Sequence, residues 1–192
     1  MPSTRRDHLY RFGTSALGVA LAGCTTVAPP LADDGETTVT ITSVTSPSGL
    51  PIRPDVEVTR SLATEEDPPQ LRTTLTNTTE NPVVIGDIRN AHFENTFDES
   101  SEYVLIPDDS GYGNADSGCW RITGGVGHAA TYQTVKIPPD EPSSRLVNLF
   151  AHGEGENCLP TGTYSFSTLM NVSKKTGEGT QGVSWGFEIR II

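Results

Sequence analysis

An all-β fold, with two sheets packed as a sandwich, is the class this sequence predicts, and three observations predict it. From Thr37 onward, β-branched and aromatic residues recur in short runs with polar residues between them. The 19 glycines and 14 prolines cut the chain into pieces of strand length. No stretch sustains the three-to-four-residue period of an amphipathic helix, which leaves the two-residue period of half-buried strands.

The strands follow in order. Val39 and Ile41 alternate with threonine in Thr37–Val44, Val56 and Val58 alternate in Val56–Ser61, and Leu71, Thr73 and Leu75 do so in Gln70–Asn77. Pro82–Ile88 and Tyr103–Ile106 are short apolar runs bounded by Asn, Asp and Pro. Cys119–Thr123, Thr131–Ile137 and Arg145–Phe150 each follow a glycine- or proline-rich turn. Tyr164, Phe166 and Thr168 alternate in Thr163–Val172, and Val183–Ile192 closes the chain. Strands at spacings of roughly ten residues fit one two-sheet domain over residues 37–192.

The first 24 residues read as an address. Arg5 and Arg6 precede a short apolar run, Ala16–Ala22, which ends in small residues. That is the layout of a secretory signal, and the paired arginines match the twin-arginine export route. The run falls far short of the roughly 18 apolar residues of a membrane-spanning helix. Leu21-Ala22-Gly23-Cys24 resembles the lipobox of lipoproteins, in which the cysteine becomes a lipid-bearing N-terminus. The resemblance implies lipidation at Cys24, a flexible tether over residues 25–36 and a place on the extracellular face of the cell membrane. An ordinary signal cleaved nearby, with Cys24 incidental, is the alternative.

The chain carries 24 acidic and 13 basic residues; residues 1–24 hold Asp7, Arg5, Arg6 and Arg11, which leaves 23 acids, 10 bases and a net charge of −13 beyond them. Lysine is confined to Lys136, Lys174 and Lys175. Abundant acid with scarce lysine is the surface composition of halophilic proteins, where a Debye length of about 3 Å lets carboxylates crowd together. Such a charge excludes nucleic acid as a partner, since that needs a basic patch. Beyond Cys24 the cysteines are Cys119 and Cys158, and one disulfide is the expected state of such a pair in an exported chain. Zinc held by Cys119, Cys158, His128 and His152 is the alternative, though it lacks the closely spaced ligand pairs of structural zinc sites.

Leu159-Pro160-Thr161-Gly162-Thr163-Tyr164 stands directly before a strand. It resembles the tyrosine corner of Greek-key sandwiches, in which a tyrosine hydroxyl ties back to the connection before it; the corner residues here are Leu159, Gly162 and Tyr164. Leu71–Asn77, followed by Thr78-Thr79-Glu80-Asn81-Pro82-Val83-Val84, resembles the opening of immunoglobulin-like domains on exported prokaryotic proteins. With Trp120, the stretch Pro138–Pro142 and Leu159–Tyr164, the order is similar to that of the BsuPI-type proteinase-inhibitor family over residues 70–172. The resemblance implies an immunoglobulin-like Greek-key β-sandwich. Its motifs belong to the scaffold, so inhibitory activity does not come with it. The chain departs from that family by its expected disulfide, an insert near Pro107–Gly118 and its export signal.

No catalytic set emerges. A blue-copper site needs a histidine after its late cysteine, and none follows Cys158. Gly182-Val183-Ser184-Trp185-Gly186 comes near a nucleophile elbow but leads into a strand where the elbow needs a helix. Asp108–Asp116 is rich in oxygen ligands yet lacks the spacing and closing glutamate of an EF-hand, and it reads as an acidic loop. Gly124-Gly125-Val126-Gly127 opens no helix that would receive a phosphate. Asn77-Thr78-Thr79 and Asn171-Val172-Ser173 are glycosylation sequons, with Asn77 and Asn171 as the acceptors.

The expectation is therefore a non-catalytic, lipid-anchored surface module without metal or cofactor. It would meet an envelope protein through an exposed apolar or aromatic patch or an open sheet edge. Two alternatives have marks of their own. A hydrolase or proteinase inhibitor with a hidden site would set His92 or His128 against a serine or aspartate in a cleft. A ligand- or ion-binding lipoprotein would line a pocket with Trp120, Tyr112, Tyr132 or Trp185.

Overall fold

The computed structural model describes residues 37–112, 119–127, 132–155, 157–173 and 181–192. The residues read as signal and tether, Cys24 among them, as well as His128 and residues 113–118 of the acidic loop, lie outside the described residues. The elements are β1 (Val39–Thr45), β2 (Ile52–Arg60), β3 (Gln70–Asn77), β4 (Val83–Gly86), α1 (Ile88–Ala91), β5 (Thr96–Phe97), β6 (Tyr103–Pro107), β7 (Arg121–Ile122), β8 (Thr134–Ile137), β9 (Ser143–His152), β10 (Gly162–Ser173) and β11 (Gln181–Ile191).

One sheet runs β1-β11-β10-β4-β8 and the other β2-β3-β9-β6-β5, with β7 added against β9. The pairs along both sheets are antiparallel; the two-residue β7–β9 pair is parallel. With the Cys119–Cys158 disulfide, this is an all-β fold consistent with a sandwich. Alternation supplies the core. Val183, Trp185, Phe187, Ile189 and Ile191 of β11 and Tyr164, Phe166, Met170 and Val172 of β10 share one buried cluster with Leu71, Leu75, Leu105, Val147 and Leu149 of the other sheet. Each such side chain contributes about 1.5–3 kcal/mol on burial.

The unbroken apolar run of β6 has a second cause. Val104 and Ile106 point away from the main core, and with Phe150 they are covered by Trp120 and Ile122. A strand buried on both faces loses the alternation of a half-exposed one. The Trp120 indole N–H donates to Thr64 O at 2.7 Å, and the neighbouring disulfide holds this cover in place.

Two expectations about strand ends are corrected. β2 begins at Ile52, four residues before the expected start, and takes in Pro54. It tolerates the proline because it is an edge strand, where a missing N–H costs no ladder bond. The strand expected over Pro82–Ile88 stops at Gly86, because Asp87 turns left-handed at φ 51° and the chain enters the single turn α1. Phe93 and Asn95 are left-handed too, at φ 60° and 57°. This bent segment packs inward: Ala91, His92 and Phe93 are fully buried, and the Trp185 indole N–H donates to Ala91 O at 3.1 Å.

The Leu159–Tyr164 segment is built as a tie. The Tyr164 hydroxyl sits 3.2 Å from Pro160 O and 3.3 Å from Thr161 O. Its ring occupies the space where a side chain on Gly162 would stand, 3.0–3.2 Å from that Cβ position, and Gly162 itself has φ 155°. Burial and a hydrogen bond to Glu102 push the Tyr164 hydroxyl up to about 12. Tyr103 joins the tie, donating to Pro160 O at 2.6 Å with its ring edge-on to Tyr164.

Candidate functional site

Among the described residues, His92 is the histidine whose ring meets a serine hydroxyl. Its Nε2 lies 3.0 Å from Ser143 Oγ and its Nδ1 2.8 Å from Thr73 Oγ1. The ring is fully buried; burial, and then the charge of Arg145, lowers its pKa to about 3. Serine attack requires histidine to take and hold the serine proton, which a carboxylate on the far nitrogen makes possible. Here the far nitrogen has only the neutral Thr73 hydroxyl, and Arg145 adds charge of the wrong sign. The arrangement links β3, the α1 segment and β9 through the core.

That link carries a pH signature. In the unfolded chain a histidine takes a proton near pH 6.5, whereas folded His92 does so only near pH 3. Below pH 6.5 the unfolded state binds the extra proton, so stability falls as pH falls through that window. The expected loss between pH 8 and pH 5 is about 2 kcal/mol. Glu94 works in the opposite sense, since burial raises its pKa and the folded chain takes that proton first on acidification. Its offset begins above the ordinary glutamate range and trims the loss at the acid end of the window. Urea midpoints at pH 8 and pH 5 check the window. His92→Gln is expected to start less stable and to lose the slope, and an unchanged slope would refute the assignment.

Beside α1 lies a polar groove of about 540 Å³ that includes Arg89, Glu94, Asp108, Asp109, Gln133 and Arg145 among its lining residues. Neither His92 nor Ser143 lines it. The Glu94 side chain is 13 % exposed and 3.6 Å from Arg145 Nε. Asp108 Oδ1 accepts from Gln70 Nε2 at 2.9 Å and from Asn148 Nδ2 at 3.1 Å. Much of the groove's charge is thus engaged within the protein. Among the described residues no group of three or more His, Cys, Asp or Glu is placed to hold a metal. The zinc alternative fails at its sulfurs, because Cys119 and Cys158 are bonded to each other. His152 donates from Nδ1 to Ser101 O at 3.2 Å, with its ring against Phe97.

The four aromatics named as pocket walls divide by burial. Trp120 and Trp185 are core residues, while Tyr112 and Tyr132 are exposed. Tyr132, 57 % exposed, lies on the outer face of the five-stranded sheet, where Leu169 is 60 % exposed. The Tyr132 hydroxyl rests over Gly86 and receives a hydrogen bond from Asn171 Nδ2 at 3.4 Å. Asn171 pairs across β10 with Gly86 on one side and Gly182 on the other. Leu169 reaches the space over Gly182. Leu169, Asn171 and Tyr132 therefore form one low shelf.

Register fixes what surrounds the shelf. Val83, Ile85, Ile137, Met170, Val172, Val183 and Trp185 point into the core, so the residues that alternate with them along each strand point out. The outward positions are Val84 and Gly86 on β4, Thr134 and Lys136 on β8, Ser167, Leu169 and Asn171 on β10, and Gly182 and Ser184 on β11. None is acidic and one is a lysine. Acids return at the other end of the sheet, as Glu188 and Glu99 around a groove of about 500 Å³.

The two sequons differ as well. Asn77 is 4 % exposed. Its Nδ2 donates to Asn81 O and Ile137 O at 2.8 and 3.0 Å, and its Oδ1 accepts from Thr79 N and Oγ1, both at 2.9 Å. Closing the β3–β4 turn engages both amide hydrogens, so the folded chain offers no nitrogen there for a glycan. Asn171 is outward, but the hydroxyl residue of its sequon, Ser173, is buried. Comparison with protein-family models, curated proteins and solved structures returns no match to this chain.

Proposed function

We propose that this chain is a non-catalytic, lipid-anchored module of the outer cell surface that works by contact with proteins of the envelope. The acid-free half-face around Tyr132, Leu169 and Asn171 carries this reading. On a chain of net charge −13 beyond residue 24, a patch with two exposed apolar side chains and no carboxylate among its described strand positions suits a contact surface. The paired arginines and Leu21-Ala22-Gly23-Cys24 support export and anchoring, and the Cys119–Cys158 bond suits an oxidising compartment. The depressed basicity of His92 argues against acyl-transfer chemistry at Ser143.

An immunoglobulin-like Greek-key topology belongs to the same proposal. The strand order supports it: β2-β3-β9-β6 follows the four-stranded sheet of that fold, β4-β10-β11 the three-stranded one, and Tyr164 stands at the start of the strand that bears the tyrosine corner. β8, which pairs beyond β4 although it follows β6 in the chain, departs from it.

The test is a cross-linking pull-down from native envelope at molar salt, with tagged protein that keeps Cys24. A reproducible protein partner lost with Leu169→Asp is the expected result. A partner set unchanged by that substitution, or none, would overturn the proposal.

A further inference from the structure

We infer that two copies of this chain pair through the acid-free half-face, with Leu169 of each copy against Tyr132 of the other. The inference rests on the reading of this chain as an anchored contact module and names the first occupant of its contact face. Charge is the first argument. Two bodies of −13 repel wherever their carboxylates meet, and among the described residues the outward strand positions of this face carry none.

Shape is the second argument. Leu169 and Tyr132 flank Asn171 on opposite sides, one over Gly182 and one over Gly86. A two-fold axis lying in the face, at right angles to the line joining them, sets each leucine on the opposing tyrosine. The same operation brings the two Asn171 carboxamides together, and a carboxamide pair satisfies itself by donating and accepting at once. The glycines on either side of Asn171 let Tyr132 and Leu169 lie low against the sheet, one over Gly86 and one over Gly182.

Size sets the strength. Four strands at about 4.8 Å by roughly six residues at ~3.3 Å give a face on the order of 400 Å². A stable interface buries about 800 Å² per partner. Copies free in solution are therefore expected to be monomers. Copies anchored through Cys24 share one surface, and that confinement raises their effective concentration enough for a small interface to hold. Salt acts in the same direction, because it screens the repulsion of the remaining acids.

The experiment uses the full lipidated chain in phosphatidylcholine vesicles, with a photo-cross-linking residue at Ser184 on the face or at Glu57 on the other sheet. Dimer is expected from Ser184, at least tenfold less from Glu57, and more in 2 M than in 0.1 M salt. Leu169→Asp and Tyr132→Asp are each expected to cut the Ser184 yield at least tenfold with an unchanged melting temperature, as befits exposed positions. Monomer throughout, equal yields from both probes, or indifference to both substitutions would overturn the pairing, as would a glycan on Asn171. If the Ser184 probe captures a different protein in native envelope while purified copies stay monomeric, the contact-module reading stands and the pairing falls.

Discussion

Replacing Cys119 and Cys158 together by serine is expected to lower the unfolding free energy by about 4 kcal/mol, a fall of roughly 12 °C in melting temperature for a domain of this size. The bond closes a loop of 39 residues, and opening it returns that closure entropy to the unfolded chain. The folded chain has little to set against the loss. Trp120, next to Cys119, is the lid of the small cluster over Val104, Ile106 and Phe150, and its flanking strand β7 has only two residues. The Cys158 side keeps another tie, since the Arg121 guanidinium donates to the carbonyls of Gly153, at 2.9 Å, and Asn157. Damage should therefore begin at Trp120. Thermal melts of wild type, reduced wild type and the double serine variant, read by tryptophan emission, check this. A loss below about 1 kcal/mol would contradict the loop-closure account.

How much of this was legible in the sequence depends on how local the cause was. Strands β3, β10 and β11 were plain, because their alternation is a property of neighbouring residues. So was the tie at Tyr164, whose glycine, ring and accepting carbonyls all fall within five residues. The α1 segment was hidden. Ile88–Ala91 is four residues long and has no side-chain cap, so nothing in its composition separates it from the strand before it. β5 was missed for the same reason, being two residues whose strand pairing is with β6. Pro54 concealed the start of β2, since a proline reads as a break until the strand is known to lie at an edge.

The candidate site was legible only in kind. An exposed apolar or aromatic patch or an open sheet edge was expected, but nothing in the sequence distinguishes Tyr132, exposed, from Tyr103, buried in the core. The acid-free face is assembled from β4, β8, β10 and β11, and it exists only once register decides which residue of each pair looks outward. His92 gave the mark set for a hydrolase, a serine at hydrogen-bond distance, yet the partners come from positions 19 and 51 residues away. Their geometry is visible to no motif. What changes the meaning of the contact is burial and the sign of the nearest charge, and both are tertiary facts.

Phe93→Ala is expected to cost about 3–5 kcal/mol, and Phe93→Gly about 1 kcal/mol less although it removes more. The ring is fully buried and packs edge-on against Trp185 at 4.6 Å and Phe187 at 4.9 Å. Its backbone sits at φ 60°, where an L-residue is about 1–2 kcal/mol above a right-handed one. Alanine loses the ring and keeps that strain; glycine loses the ring and sheds it. At an ordinary helical or strand position the order would be reversed, as it should be for Phe166 in β10. The strain persists because the aromatic contacts exceed it, and the same contacts hold His92 between Thr73 and Ser143 one residue earlier. Truncating the ring should therefore also loosen the bond from Trp185 to Ala91 O and shift tryptophan emission to the red in the native state. Urea midpoints of the alanine and glycine variants settle the order. Should glycine prove the weaker of the two by 1 kcal/mol, the left-handed segment is not a strained element clamped by the core, and the sealing of His92 would need another cause.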